Sequence, residues 1–252
     1  MKKFFAIAAL FAVAAFSFTS CGGDEDTAKV RIKTYAYTEE KNGVPEDWAD
    51  VWTYNYDEAG KLINITRGEN DRTWDFTYSG NTVTIKYVKE GQDKGNIVMT
   101  LDAKGNCTKY VDEYGDEFNY TYDENGYIIQ VKKFNDLKSD VVIENGNIKQ
   151  WSKIEGETTY QKLHTYGAAK NVNNIRNIYA EFGAPRFMRE AGFFGKGTAM
   201  LCTTNQWDYS QDPSQLDYEY DKDGNIAAEK KSFPTKENSK TEVNKYTWES
   251  IK

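Results

Sequence analysis

From Val30 onward the chain alternates apolar and polar residues in short runs, and Gly, Asn and Asp separate the runs. A period of two marks half-buried strands, and those separators mark tight turns. One unit recurs. Tyr54-x-Tyr56-Asp57-x-x-Gly60-x-Leu62 returns as Tyr120-x-Tyr122-Asp123-x-x-Gly126-x-Ile128 and as Tyr218-x-Tyr220-Asp221-x-x-Gly224-x-Ile226. Met99-x-Leu101-Asp102-x-x-Gly105-x-Cys107 is a weaker copy. Phe76-x-Tyr78-Ser79-Gly80-Asn81-x-Val83 and Val141-x-Ile143-Glu144-Asn145-Gly146-Asn147-Ile148 are shorter relatives.

The spacing predicts hairpins. Asp57 suits the first position of a type I turn, where its side chain holds the amides that follow. Gly60 then takes the left-handed conformation that makes a short loop with a bulge. With that count Tyr56 falls opposite Leu62, Tyr122 opposite Ile128, Tyr220 opposite Ile226 and Leu101 opposite Cys107. The two-residue turns place Ile143 opposite Ile148 and Tyr78 opposite Val83. Every turn, long or short, thus delivers an apolar cross-strand pair to one face.

Further turn signals separate strands that begin at Val30–Tyr37 and run to Thr158–Tyr166, then resume at Leu216–Tyr220, Ile226–Lys231 and Glu242–Trp248. Short connections make sequential strands neighbours. The expected fold is all-β: an antiparallel meander of many hairpins curled into a barrel-like sheet. Residues 167–202 break the pattern. Ile175, Ile178, Tyr179 and Phe182 lie on one helical face, Gly183-Ala184-Pro185 ends that turn, and Phe187, Met188, Phe193 and Phe194 follow among glycines. A long sheet with one apolar face must bury it. This helical or irregular insert is expected to cover or plug the curled sheet, and the alternative is a ligand-binding loop.

The start of the chain has another character. Lys2 and Lys3 precede an apolar run from Phe4 to Phe16, and Phe18-Thr19-Ser20-Cys21 ends it. That is the layout of an export signal over residues 1–20, too short to span a bilayer comfortably. A cysteine directly after small residues resembles the lipobox of bacterial lipoproteins, with Phe18 where leucine is usual. The resemblance implies a diacylglycerol on Cys21 and cleavage just before it; an ordinary signal with an incidental cysteine is the alternative. Gly22-Gly23-Asp24-Glu25-Asp26 resembles the acidic export tag of surface lipoproteins in Bacteroides-type bacteria, and also suits a plain solvated tether over residues 21–29. Residues 30–252 form the β domain. The expected location is the outer membrane of a Gram-negative cell, surface-exposed or on the periplasmic face, with the lipid as the sole membrane contact.

Tandem Tyr-x-Tyr-Asp-x-x-Gly hairpins behind such a signal, followed by Gly192-Phe193-Phe194-Gly195-Lys196-Gly197, resemble an uncharacterised Bacteroides lipoprotein domain family described as porin-like. They are more weakly similar to the Tyr-Asp repeats of large bacterial surface and toxin proteins. The resemblance implies a many-stranded, barrel-like sheet and carries no assigned activity or functional residue. A pore does not follow from it. A membrane-spanning barrel needs an apolar outer face, whereas Thr53 and Asn55, Asp75 and Thr77, and Asn119 and Thr121 stand opposite the aromatics.

Composition narrows the chemistry. The 252 residues carry a net charge of −7, and no basic run offers a footprint for nucleic acid. His164 is the one histidine, in a strand pattern with no motif to supply partners, so neither a His-centred triad nor a multi-His metal site is expected. Asp221-Lys222-Asp223-Gly224 has the wrong spacing for a calcium loop and reads as a turn. Cys107 and Cys202 read as buried packers or as a disulfide. No cofactor and no catalytic residue is expected, although 39 acidic residues leave paired carboxylates open. The remaining candidates are aromatics outside the repeat, Trp48, Trp151 and Trp207, as platforms for a glycan or a protein partner. The expected role is a non-catalytic binding module, with an envelope assembly subunit and a polysaccharide-acting enzyme as alternatives.

Overall fold

Every cross-strand pair predicted from the repeat is present. Tyr56 faces Leu62, Tyr78 faces Val83, Leu101 faces Cys107, Tyr122 faces Ile128, Ile143 faces Ile148 and Tyr220 faces Ile226. The turns form as their residues dictate. Asp57 Oδ1 accepts from the Lys61 amide at 2.8 Å, and Gly60 sits at φ 82°, a conformation that costs a side-chain-bearing residue energy. Asp123 and Asp221 repeat the contact with the amides of Tyr127 and Asn225.

A computed structural model describes residues 30–68, 71–176, 183–234 and 240–251. The residues read as an export signal and tether, Cys21 among them, and Ile178, Tyr179 and Phe182 of the predicted helical face lie outside them. The wall starts with β1 (Val30–Lys41), against whose end the short β2 (Val44–Pro45) pairs. It continues through β3 (Asp50–Tyr56), β4 (Leu62–Arg67), β5 (Arg72–Ser79), β6 (Thr82–Lys89), β7 (Gln92–Leu101) and β8 (Cys107–Val111). β9 (Glu117–Tyr122), β10 (Ile128–Lys133), β11 (Asp136–Glu144), β12 (Asn147–Glu155) and β13 (Thr158–Lys170) follow. After the insert come β14 (Met200–Trp207), β15 (Ser214–Tyr220), β16 (Ile226–Ser232) and β17 (Lys240–Ser250). β1 pairs with both β2 and β3, each strand from β3 onward pairs with its successor, and β17 returns to β1 from Val30↔Ser250 to Lys41↔Lys240. The result is a closed barrel of 16 antiparallel strands, with β2 as a small addition.

Because the strands alternate in direction, all the Asp-x-x-Gly and Asn-Gly hairpins of the repeat fall at one end, together with the insert and the start of β1. We call this the sealed end. The insert is itself an expanded repeat turn, since Tyr166 faces Cys202 as Tyr56 faces Leu62. The insert ends before Met200 and not at Cys202 as expected, and β14 is a strand that the alternation does not predict. The alternation there is masked by the polar run Thr203-Thr204-Asn205-Gln206.

A second regularity joins hairpin to hairpin at that end. The hydroxyl of Tyr56 donates to the Ile32 carbonyl at 2.9 Å, Tyr78 to Leu62 at 2.7 Å and Tyr122 to Cys107 at 2.7 Å. Tyr166 donates to Ile148 at 3.3 Å, Tyr218 to Cys202 at 2.8 Å, and the Trp248 indole N–H to Ile226 at 2.8 Å. In the third hairpin named above Tyr218 takes the buried role, while Tyr220 is exposed. Cys107 and Cys202 occupy the same repeat position as free buried thiols.

The insert enters through this end and fills the interior. A helical turn, α1 (Arg186–Met188), passes into a wider π-type turn over Arg189–Phe193. Phe187 stacks on Trp52 with centroids 5.5 Å apart and meets Trp74 at 4.5 Å; Phe193 stacks on Phe76, and Phe194 meets Tyr120 edge-on at 5.2 Å. The Tyr54 hydroxyl donates to the Phe187 carbonyl at 2.6 Å. Burying a Phe or Met side chain stabilises by about 1.5–3 kcal/mol, so Phe187, Met188, Phe193 and Phe194 together rival the whole margin of a typical domain. Gly195 lets the backbone pass the wall: a Cβ there would lie 2.4 Å from the Gly126 carbonyl oxygen.

Outside, the wall is polar. Thr34 and Thr247 share a hydrogen bond, and Asn55, Asn64 and Asp75 form a side-chain ladder across three strands. These strands carry no apolar band of the kind that meets lipid chains in a membrane-spanning barrel.

Candidate functional site at the open mouth

At the other end of the barrel the connections share no one turn, although Asp112 to Gly115 forms an Asp-x-x-Gly turn like those of the repeat. There Gly183 to Arg189 of the insert face β1 and β13 to β17 across a cavity of about 320 Å³. This lies at the small end of the ~300–1,000 Å³ typical of ligand sites.

Local rules build the cavity floor. Pro185 supplies the extended residue before α1, and Arg186 then projects from the first turn to the wall. Its guanidinium donates to Glu229 at 3.1 Å and to Tyr246, and reaches Glu190, four residues on, at 3.4 Å. The Asn244 amide donates to Glu229 at 3.2 Å and accepts from the Tyr35 hydroxyl at 2.7 Å. Glu229 and Asn244 pair across β16 and β17 on the inward face, and both are buried. Burial alone would weaken the hold of Arg186 on its proton, but Glu229, then Tyr246, Tyr35 and Glu190, raise its pKa well above the ordinary value. Arg189 goes the other way: burial, then the neighbouring Arg186 charge, lower it to about 10. Burial pushes the Tyr35 hydroxyl up to about 12, which keeps it a neutral donor.

Above the floor stand Lys231, bound to Glu242 at 3.2 Å, and Asn205, Lys162 and Tyr37. Glu229 on the floor and Glu190 on the insert are both engaged by Arg186. Among the described residues, no three His, Cys, Asp or Glu side chains cluster in a metal-holding arrangement.

The three candidate tryptophans fall around this cavity. Trp48 lies at the rim in the connection between β1 and β3, with 41% of its surface exposed and its ring 5.9 Å from that of Tyr37. Trp207 faces Lys162 across β13 and β14 and stacks on Tyr209, which meets Tyr160 edge-on at 5.0 Å. Trp151 is buried beneath them, 5.5 Å from Trp207, and the Lys162 ammonium lies over both rings. Tyr37 and Lys162 both line the cavity, so two aromatic groups flank its mouth on opposite sides. His164 faces inward beside Trp151, where burial and then the Lys162 charge push its pKa down to about 3. Arg186, Glu229, Asn244, Lys162 and Tyr209 are not among the candidates that the sequence pattern offers. The available signal was the break in apolar alternation along the inward face of β16 and β17, at Glu229, Lys231, Glu242 and Asn244.

No protein-family profile matches the chain, and none of the curated proteins matches it. Solved structures do share its fold. A porin-like protein from Bacteroides uniformis superposes with a TM-score of 0.62 at 17% identity, covering 86% of this chain and 96% of that one. A porin-like protein from Bacteroides vulgatus gives a TM-score of 0.52 at 14% identity, covering 88% of this chain and all of that one. At these identities the likeness establishes the barrel architecture: this chain folds as the Bacteroides porin-like proteins do.

Proposed function

We propose that the protein is a non-catalytic, glycan-binding lipoprotein of the outer membrane, with its site at the open mouth of the barrel. One observation carries the reading. A cavity with a preorganised floor of amide, hydroxyl and charged groups is flanked on both sides by partly exposed aromatics, Trp48 with Tyr37 and Trp207 with Tyr209. Sugars present hydroxyls to fixed polar partners and C–H faces to aromatic rings, so the arrangement suits them. The floor is positioned before any ligand arrives, which reduces the ordering cost of binding. A subunit role draws less support. Exposed apolar residues on the wall sit among polar neighbours, as Val142 beside Gln150 and Leu163 beside Gln206, rather than in one patch.

Anchoring fits the topology. β1 starts at the sealed end, so a lipid on Cys21 would hold that end toward the membrane and turn the open mouth away from it. Cys21→Ala should release the protein from membranes, since one diacylated terminus is then its only hold. Continued sedimentation with membranes after a salt wash would contradict the anchor. For the site, glycan-array screening followed by titration of Trp48→Ala and Trp207→Ala tests the reading. Each variant should lose about tenfold or more in affinity, equal to ~1.4 kcal/mol. Unchanged affinity in both variants would move the site elsewhere.

A further inference from the structure

At the sealed end, away from the mouth, three seams between strands share one geometry. The β1–β3 ladder ends at Thr34↔Thr53, the β4–β5 ladder at Asn64↔Asp75 and the β8–β9 ladder at Lys109↔Asn119. Beyond each end, a tyrosine three residues on donates to the carbonyl two residues back: Tyr56 to Ile32, Tyr78 to Leu62 and Tyr122 to Cys107.

The residue before that carbonyl decides what covers the tyrosine. In the first two seams it is a cation. The Arg31 guanidinium lies 3.9 Å from the Tyr56 ring centroid, and the Lys61 ammonium 3.7 Å from that of Tyr78, as the negative face of an aromatic ring favours. In the third it is Asn106, whose side-chain amide turns back to Asp102 at 3.1 Å, and no described cation lies over the Tyr122 ring. Asn147 and Asn225 hold the same position in the seams of Tyr166 and Trp248, but they accept from the Met200 amide and the Asn173 side chain.

Where the cation is missing, a groove of about 410 Å³ opens, lined by Tyr120 and Tyr122 and by Asp102 and Asp123 of the two flanking turns. Each carboxylate holds amides of its own turn, and neither forms an ion pair with a described residue. An aromatic floor between two carboxylates is complementary to a cation on a flexible stem. Lys104 also lines the groove and opposes an incoming charge, but its ammonium is held by the Glu124 carbonyl at 3.0 Å.

We propose that this groove binds an arginine or lysine side chain of another polypeptide, seated over Tyr122 as Arg31 and Lys61 sit over Tyr56 and Tyr78. The site is separate from the mouth and does not depend on glycan binding.

The test follows tyrosine ring signals by NMR while the protein is titrated with Nα-acetyl-arginine amide, Nα-acetyl-lysine amide and the uncharged isostere Nα-acetyl-citrulline amide. Both cations should shift Tyr122 and its neighbours and bind about tenfold more tightly than the citrulline probe, a preference that shrinks in high salt. Asn106→Lys supplies the cover found at Lys61 and should abolish binding, whereas Asn106→Ser should keep it, with thermal melts establishing that both variants fold. No shift at Tyr122, equal binding of citrulline, or undiminished binding by folded Asn106→Lys would each overturn the proposal. So would shifts at the exposed Tyr114 and Tyr220 as large as those at Tyr122. Tighter binding of butylammonium than of the lysine amide would overturn the polypeptide source and assign the groove to a free amine.

Discussion

The two ends of the barrel are built on different principles. At the sealed end every connection but the insert is an Asp-x-x-Gly turn or a two-residue turn of the repeat. All but the Tyr220–Ile226 hairpin set their cross-strand pair inward, and tyrosine or tryptophan donors tie one hairpin to the next. At the open end the connections differ in length and sequence, and around the cavity many of the side chains that face inward are charged or amide-bearing. Repetition suits stability, because each unit solves the same local problem and supports its neighbours. Departure from repetition is where the cavity lies. Local inconsistency in an otherwise regular sequence thus points toward function.

The most severe way to break this comparison is to remove what fills the sealed end. Replacing residues 171–199 with a two-residue Asn-Gly turn would restore an ordinary repeat hairpin. It would also uncover Trp52, Trp74, Phe76 and Tyr120, which the plug now buries. Loss of cooperative unfolding and strong hydrophobic-dye binding are expected. A variant that melts cooperatively as a monomer would show that the wall is stable on its own.

Next in size is the link between plug and wall. Arg186→Ala leaves Glu229 buried without its guanidinium, and breaking one side of such a pair costs about 3–5 kcal/mol. Chemical denaturation measures it. A cost under ~1 kcal/mol would mean that water replaces the arginine and that the cavity floor is not preorganised.

The repeat turn is tested by Gly60→Val, which places a β-branched residue at φ 82° for an expected loss of roughly 1–3 kcal/mol. Tyr122→Phe removes one hairpin-to-hairpin hydrogen bond and should cost about 0.5–1.5 kcal/mol. The matched change at the open end, Tyr209→Phe, should leave the melting temperature unchanged, since Tyr209 is 63% exposed. Equal effects from the two tyrosines would remove the distinction between the ends.

Protonation gives a gentler probe of the interior beside the site. The folded pKa of His164, about 3, lies below its ordinary value of 6.5, so between those values the unfolded chain binds a proton that the folded chain does not. The neutral histidine's contribution is therefore whole above about pH 6.5 and is lost as pH falls toward 3, with a limiting slope of about 1.4 kcal/mol per pH unit. His164→Gln should flatten the acid limb relative to wild type. An identical pH dependence in the two proteins would place His164 in contact with solvent.

Much of the barrel was legible because its determinants are local. Asp57, Gly60 and their counterparts set turn type and register within a few residues, so the pairs Tyr56–Leu62 and Tyr122–Ile128 followed from counting. β14 was hidden because its inward residues, Asn205 and Trp207, line a cavity or its rim and so break the apolar alternation that marks a strand. The site was hidden for a deeper reason. Tyr35, Lys162, Arg186 and the Glu229–Asn244 pair of β16 and β17 come from four segments distant in sequence, and only the closed, plugged barrel makes them neighbours. Of the tryptophans singled out for standing outside the repeat, Trp48 and Trp207 lie at the mouth, while Trp151 is packed beneath it.

The central claim is that ligand binding belongs to the open mouth. Backbone-amide NMR during titration with a glycan identified by array screening tests it most directly. The account predicts shifts confined to Tyr37, Trp48, Lys162, Asn205, Trp207 and their neighbours, with the turns at Gly60, Gly126 and Gly224 unmoved. Shifts centred on those turns or on the polar outer wall, with the cavity residues silent, would contradict it.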